Sequence, residues 1–156
     1  MQKHGILLDM AHASEKSQKQ IRELKLKLPV IVSHGVITID GQEPGWRHTR
    51  PEVLSEIKRT KGIFGIMFAK QYLPQGTIKD IVDQIKALRE QIGIEHIAIG
   101  TDADGFVNLV IEDMNGVGQV FAELRKEGFS EADISRISFA NFLDMLKYRD
   151  QILSGV

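Results

Sequence analysis

Each of three polar residues, His12, His34 and Asp102, stands just beyond a short apolar segment. Neutral imidazole is a good ligand for Zn²⁺, and a nearby carboxylate can ligate the ion or take a proton from its water. Taken singly, a histidine at such a position also fits a hydrogen-bonded loop, and an aspartate fits a helix cap or turn. If the three side chains share one edge of a sheet, the set favours a metal site.

The apolar segments that precede these residues predict how they are positioned. Each segment is short and rich in branched residues on both faces, which is typical of parallel strands buried on both sides. The predicted strands are Ile6–Met10, Val30–Val32, Ile63–Phe68 and Ile97–Gly100. Ligands of parallel α/β folds bind beyond the carboxyl ends of the strands, so the two histidines and the aspartate are expected on one rim.

Amphipathic helices are predicted between and after the strands. Their boundaries follow from capping residues and apolar spacing. The predicted starts are Ser14, Pro51, Thr77, Asn115 and Ser130, and a last helix carries Phe142, Met145 and Leu146. The fold class is therefore α/β, with four parallel β-α units and a helical C-terminal tail. The connection from Gly35 to Arg50, which contains Trp46, is predicted to be a long functional loop.

The length and composition of the chain exclude several classes of protein and several kinds of binding partner. The chain has 156 residues, 42% hydrophobic content, a formal net charge of -1 and no cysteine. It is expected to form one domain over residues 1–156, with no cysteine nucleophile and no electrostatic reason to bind nucleic acid. No membrane segment and no signal peptide are expected, and a cytoplasmic location is predicted. The length is short for a complete (β/α)8 barrel of ~250 residues.

Several segments in order along the chain resemble the carboxyl-terminal half of the membrane (renal) dipeptidase family of zinc peptidases. The resemblance rests on segments 8–14, 29–34, 47–48, 100–106, 128–134 and 140–143. Each motif is short, and their order and spacing make the set specific.

The resemblance implies the last four strands of a TIM-type (β/α)8 barrel that hydrolyses dipeptides with zinc. It implies that His12 and His34 ligate one of two zinc ions and that Asp102 assists proton transfer. It also implies that Arg47 binds the terminal carboxylate of the substrate, a role that suits the guanidinium group. The sequence departs from the family at His48, where the family usually has Asn, and at Gly35, where Ser or Thr is frequent.

The family also uses a His-x-Asp pair and a bridging glutamate that lie upstream of the matched region. Two hypotheses therefore stay open. In the first, the chain is the carboxyl-terminal half of a zinc dipeptidase and needs a missing N-terminal half-barrel or a homo-oligomeric partner. In the second, it is a non-catalytic remnant or assembly module that binds at most one metal weakly. A third hypothesis is a phosphate site at a helix N-terminus that follows a strand. The absence of a glycine-rich phosphate loop after the strands counts against it.

Overall fold

A parallel sheet of short strands lies at the centre of the fold. The computed structural model describes residues 2–39, 45, 47–105 and 107–155. The strands are β1 (Leu8–Asp9), β2 (Val30–Ile37), β3 (His48–Thr49), β4 (Ile63–Ile66) and β5 (Ile97–Ile99). Their order is β1-β2-β4-β5, with β3 beside the end of β2. Every pairing between these strands is parallel, which confirms the predicted sheet type.

Helices connect the strands and follow the last one. They are α1 (Glu15–Glu23), α2 (Pro51–Thr60), α3 (Ile78–Ile92), α4 (Val117–Lys126), α5 (Glu131–Ser135) and α6 (Asn141–Ser154). Ser14 caps α1, while Thr77 and Ser130 each form a reciprocal capping box at the start of α3 and α5. Pro51 occupies the first turn of α2. The predicted starts of these helices are therefore confirmed, because capping depends on residues only three positions apart.

The main core lies between the sheet and helices α2, α3 and α4. Alternate strand residues, such as Val32, Phe64 and Ile97, pack with Ile57 and Ile85 in one buried cluster. A continuous buried cluster of this kind supplies most of the stabilisation of the fold. Helix α1 ends at Glu23, and Leu24, which follows it, is 67% exposed.

Helix α6 packs on a second cluster. Ile63 and Ala98, which alternate with the residues of the main core, contact Met145. Leu7, Ile31 and Leu146 pack against them. The predicted tail is thus present, and its buried residue is Met145, whereas Phe142 is 44% exposed. No helix among the described residues is long and apolar enough to cross a membrane.

The segment from Gly35 to Arg50 is not simply a loop. Strand β2 continues to Ile37 after a register shift between Val32 and Gly35, and β3 adds a short parallel pairing. Buried Gln84 of α3 explains where β2 ends: its Oε1 accepts from the N–H of Ile37 at 2.7 Å, and its Nε2 donates to the carbonyl of Ile37 at 2.9 Å. A side-chain amide thereby replaces a further strand. Trp46 lies outside the described residues.

Candidate functional site

The two predicted metal-ligating histidines meet at the carboxyl ends of β1 and β2. Nε2 of His12 lies 2.8 Å from Nε2 of His34, and the rings are 61° apart with centroids at 4.9 Å. Oδ2 of Asp102, which follows β5, lies 3.7 Å from Nε2 of His34. The sheet therefore brings all three side chains into one cluster, although they are distant in the sequence.

Unusual backbone conformations hold two members of this cluster. His12 and Asp102 each have a φ of 61°, in the left-handed region. Such a conformation is uncommon for residues other than glycine and costs on the order of 1–3 kcal/mol. Gly105 allows the turn after Asp102, because a Cβ there would lie 2.2 Å from Oδ1 of Asp102. The surrounding structure thus holds both side chains in positions that local propensity does not favour.

Asp9 is a positioning residue for this site that the sequence analysis did not select. Its Oδ1 accepts hydrogen bonds from the backbone N–H of Ala11 at 2.9 Å and of Ser33 at 3.0 Å. One carboxylate oxygen therefore joins the loop that carries His12 to the strand that carries His34. The available signal in the sequence was a carboxylate inside an otherwise apolar strand.

A chain of polar contacts links Arg47, the two imidazole rings and Ser33. Nη1 of Arg47 lies 2.8 Å from Nδ1 of His12, and its Nη2 lies 3.3 Å from Nε2 of the same ring. A guanidinium only donates, so its donors face both ring nitrogens of His12. Nε2 of His12 also meets Nε2 of His34, whose Nδ1 lies 2.9 Å from Oγ of Ser33.

The electrostatic environment keeps His34 neutral. Burial lowers the pKa of His34 below its ordinary value, and neighbouring His12 and Arg47 act in the same direction. The carboxylates of Asp102 and Asp9 oppose this shift without reversing it. Neutral imidazole is the form that ligates metals and accepts protons. The site therefore holds His34 in the state that ligation requires.

A cleft of about 250 Å³ opens beside the two histidines, with Arg47 and His48 among its lining residues. The guanidinium carbon of Arg47 lies 5.6 Å from the centroid of the Tyr72 ring. Burial lowers the pKa of His48, and a hydrogen bond with the backbone of Tyr72 partly opposes this shift. Nδ1 of His48 also lies 2.9 Å from Oγ1 of Thr38. The cleft thus presents Arg47, the Arg50–Glu15 ion pair and several neutral hydrogen-bonding groups to a small ligand.

The donor atoms fit part of a zinc site. Two imidazole nitrogens converge on one point, and His34 has the hydroxyl of Ser33 behind it, as metal-ligating histidines usually do. One zinc ion needs about three or four protein ligands. Within the ranges that the structure describes, no group of three or more histidine, aspartate or glutamate side chains is arranged to hold a metal. His12 and His34 therefore fit as two ligands of a larger set.

The fold and this site define an α/β protein with a histidine-lined cleft at the carboxyl ends of parallel strands. The sequence matches the membrane dipeptidase family, peptidase family M19, over residues 1–154, and the chain belongs to that family. The resemblance seen in the short motifs is thereby confirmed across nearly the whole chain.

Curated relatives and solved structures agree with this assignment. The chain is 30% identical to dipeptidase ataJ of Aspergillus terreus, with 96% of this chain and 37% of that protein covered. It is 28% identical to dipeptidase verJ of Clonostachys rogersoniana, with 97% and 39% covered. The chain thus spans less than two fifths of the length of these relatives.

Two similar structures are a metallopeptidase from Rhodobacter sphaeroides, liganded with a phosphinate mimic of the dipeptide L-Ala-D-Ala, and the probable dipeptidase PvdM from Pseudomonas aeruginosa. The first has a TM-score of 0.85 at 22% identity and covers 95% of this chain and 44% of its own. The second has a TM-score of 0.83 at 19% identity and covers 99% and 52%. The predicted α/β fold class is confirmed, and the chain corresponds to about half of these structures.

Proposed function

We propose that this chain supplies the carboxyl-terminal half of a zinc-dependent dipeptidase, folded as one domain over residues 1–156. The observation that carries the proposal is the 2.8 Å approach of Nε2 of His12 to Nε2 of His34, with Asp102 beside them. Membership of the membrane dipeptidase family supports a dipeptide as the substrate. A cytoplasmic location remains a prediction from the sequence.

His12 and His34 would hold zinc through their Nε2 atoms, and the family resemblance implies a second ion in the intact site. A bound zinc ion supplies Lewis acidity and lowers the pKa of water. The other ligands would come from a second half-barrel, which is either an upstream part of a longer chain or a second copy. The two open edges of the sheet, at β1 and β5, provide surfaces on which such a half could pair.

Asp102 would transfer a proton and Arg47 would bind the substrate. The carboxylate of Asp102 lies 3.7 Å from Nε2 of His34 and its side chain is 15% exposed, which supports a role in which it would take a proton during attack on the peptide carbonyl. Arg47 lines the cleft, where its planar guanidinium would bind the terminal carboxylate of a dipeptide. To do so, Arg47 must exchange its hydrogen bond with His12 for the substrate.

The test is zinc binding and dipeptide hydrolysis by the chain alone and with a separately expressed upstream half. We expect the zinc-loaded assembly to cleave dipeptides and His12→Ala or His34→Ala to abolish both zinc binding and cleavage. His4→Ala is the matched control, since His4 is an exposed histidine outside the cluster. A folded, zinc-loaded assembly that leaves dipeptides intact would contradict the proposal.

The second candidate is a non-catalytic module that binds one metal weakly. It is favoured by the observation that, within the described residues, no group of three or more histidine, aspartate or glutamate side chains is arranged to hold a metal ion. Calorimetric titration of the chain alone with zinc separates the two. A single weak site favours the module for the isolated chain, whereas tight binding of two ions excludes it.

A further inference from the structure

A second cavity, of about 460 Å³, lies at the opposite end of the sheet from the histidine pair. It is lined by residues next to the amino ends of β4 and β5 and by one side of α6, with His96, Met145 and Tyr148 among them. The proposed dipeptidase site lies at the carboxyl ends of the strands, so the proposed reaction does not use this cavity.

Three cationic side chains line the cavity. Lys58 and Lys61 come from the end of α2, and Arg136 begins the π-helical segment Arg136–Ala140 that leads into α6. Nζ of Lys61 lies 4.3 Å from the centroid of the Tyr148 ring, and Nη1 of Arg136 donates to Oδ1 of Asn141 at 3.5 Å. Within the described part of the chain, no carboxylate forms a salt bridge with these three side chains.

The carboxylates of the cavity do not balance this charge. Asp144 is paired with Lys147 on its own helix at 3.1 Å. Glu95 is the other acidic lining residue, and its Oε1 lies 3.9 Å from Nε2 of His96. Within the residues that the structure describes, three cations therefore face one carboxylate, Glu95, that lacks a lysine or arginine partner, and the cavity carries an excess of positive charge. Such an excess attracts small anions.

His96 adds a buried hydrogen-bonding group of defined tautomer. Its residue is 7% exposed, and its Nδ1 lies 2.9 Å from the carbonyl oxygen of Gly62. A carbonyl only accepts, so Nδ1 carries the proton and Nε2 of the neutral ring is an acceptor. A phosphate group that retains one proton can donate to this nitrogen, while its other oxygens accept from lysine and arginine.

We propose that this cavity binds a small molecule that carries a phosphate group, through Lys58, Lys61 and Arg136 with His96 as acceptor. Arginine and lysine are the usual partners of phosphate in proteins. The cavity is larger than a bare phosphate, and Met145 and Tyr148 provide apolar surface for an organic part of the ligand. The proposed site is independent of zinc and of the dipeptide.

The experiment is a titration of the chain with inorganic phosphate and with phenyl phosphate, followed by amide NMR at low ionic strength. We expect saturable shifts at Gly62, His96 and Tyr148, and none at His12 or His34. Lys61→Gln and Arg136→Gln should each weaken binding about tenfold, the usual loss for a hydrogen bond to a charged group. Lys61 is an exposed residue at a helix end, so its variant is expected to fold even if Arg136→Gln does not.

Two control variants test whether the phosphate compounds bind in this cavity. Lys79→Gln removes an exposed lysine of α3 that pairs with Asp83 and does not line the cavity, and it should leave the affinity unchanged. Arg47→Met removes one cation of the cleft beside the two histidines and should also leave the phosphate affinity unchanged. The proposal is overturned if neither ligand binds, if the shifts appear at His12 and His34, or if Lys79→Gln weakens binding as much as Lys61→Gln.

Discussion

Arg47 donates from Nη1 to Nδ1 of His12 at 2.8 Å, and its Nη2 lies 3.3 Å from Nε2, the nitrogen that meets His34. The donors of one guanidinium thus face both nitrogens of the His12 ring. Zinc ligation through Nε2 would leave a proton on Nδ1, where it would face the guanidinium donor. The contacts of Arg47 with His12 and zinc ligation by His12 would therefore compete, and loss of these contacts would make the guanidinium available to a substrate carboxylate.

Removal of the Arg47 guanidinium should strengthen zinc binding. We expect Arg47→Met to raise the zinc affinity of the chain by about tenfold, a size typical of changes to groups that hydrogen-bond to metal ligands. Competition with a chelating dye measures it. Arg50→Met is the matched control, because Arg50 pairs with Glu15 at 2.6 Å and also lines the cleft. An unchanged or weaker affinity in Arg47→Met would show that the two contacts do not compete.

The hydroxyl of Ser33 should matter for metal binding through the orientation of His34. Its Oγ lies 2.9 Å from Nδ1 of His34, and by accepting a proton held on Nδ1 it would leave Nε2 available as a ligand. We expect Ser33→Ala to lower zinc affinity by about 10- to 100-fold with little change in the melting temperature. Ser55→Ala, an exposed serine that bonds to the carbonyl of Pro51, should not change the affinity. Equal affinities in the two variants would contradict this role.

Gly65 should tolerate no side chain, because β2 and β4 approach closely there. An added Cβ would lie 2.1 Å from the carbonyl oxygen of Ser33. We expect Gly65→Ala to lower the free energy of unfolding by about 1–3 kcal/mol or more, as overpacking does.

Gly118 of α4 provides the matched control for Gly65, since no atom lies within 4 Å of an added Cβ there. Gly118→Ala should raise the free energy of unfolding by up to about 1 kcal/mol, the helix preference of alanine over glycine. Urea denaturation of both variants provides the comparison. Similar changes in both would mean that the close approach of β2 and β4 at Gly65 does not exclude a side chain.

The capping box of α5 should make stability depend on pH in the acidic range. The backbone N–H of Ser130 is the main cause that lowers the pKa of Asp133 below its ordinary value, and the hydroxyl of Ser130 adds to it. A depressed folded-state pKa means that the charged carboxylate stabilises the fold above the unfolded-state pKa. This contribution is lost as the pH falls through the lower, folded-state pKa.

Wild type and Asp133→Asn test this dependence. Near pH 7 the wild type should be more stable by about 0.3–1 kcal/mol, the range for a carboxylate at a helix N-terminus. The difference should shrink between about pH 5 and pH 2, as the carboxylate becomes protonated. Denaturation across that range measures it, and a difference that does not change with pH would rule out the charge of Asp133 as its cause.

The sequence by itself determined the features that depend on neighbouring residues. The capping boxes at Thr77 and Ser130 join residues three positions apart, and the apolar segments define strands whose shared direction puts His12, His34 and Asp102 at one end of the sheet. Local spacing and strand direction are enough for these predictions, since they need no distance between remote segments.

Only the tertiary structure decided which of these groups touch. The His12–His34 contact spans 22 positions, the Arg47–His12 contact spans 35, and the amide of Gln84 that ends β2 bonds 47 positions away. The bridging role of Asp9 and the pairing of β3 with β2 depend likewise on segments that meet only after folding. The physical reason is that packing and register, rather than residue type, set the distances on which hydrogen bonding and metal ligation depend.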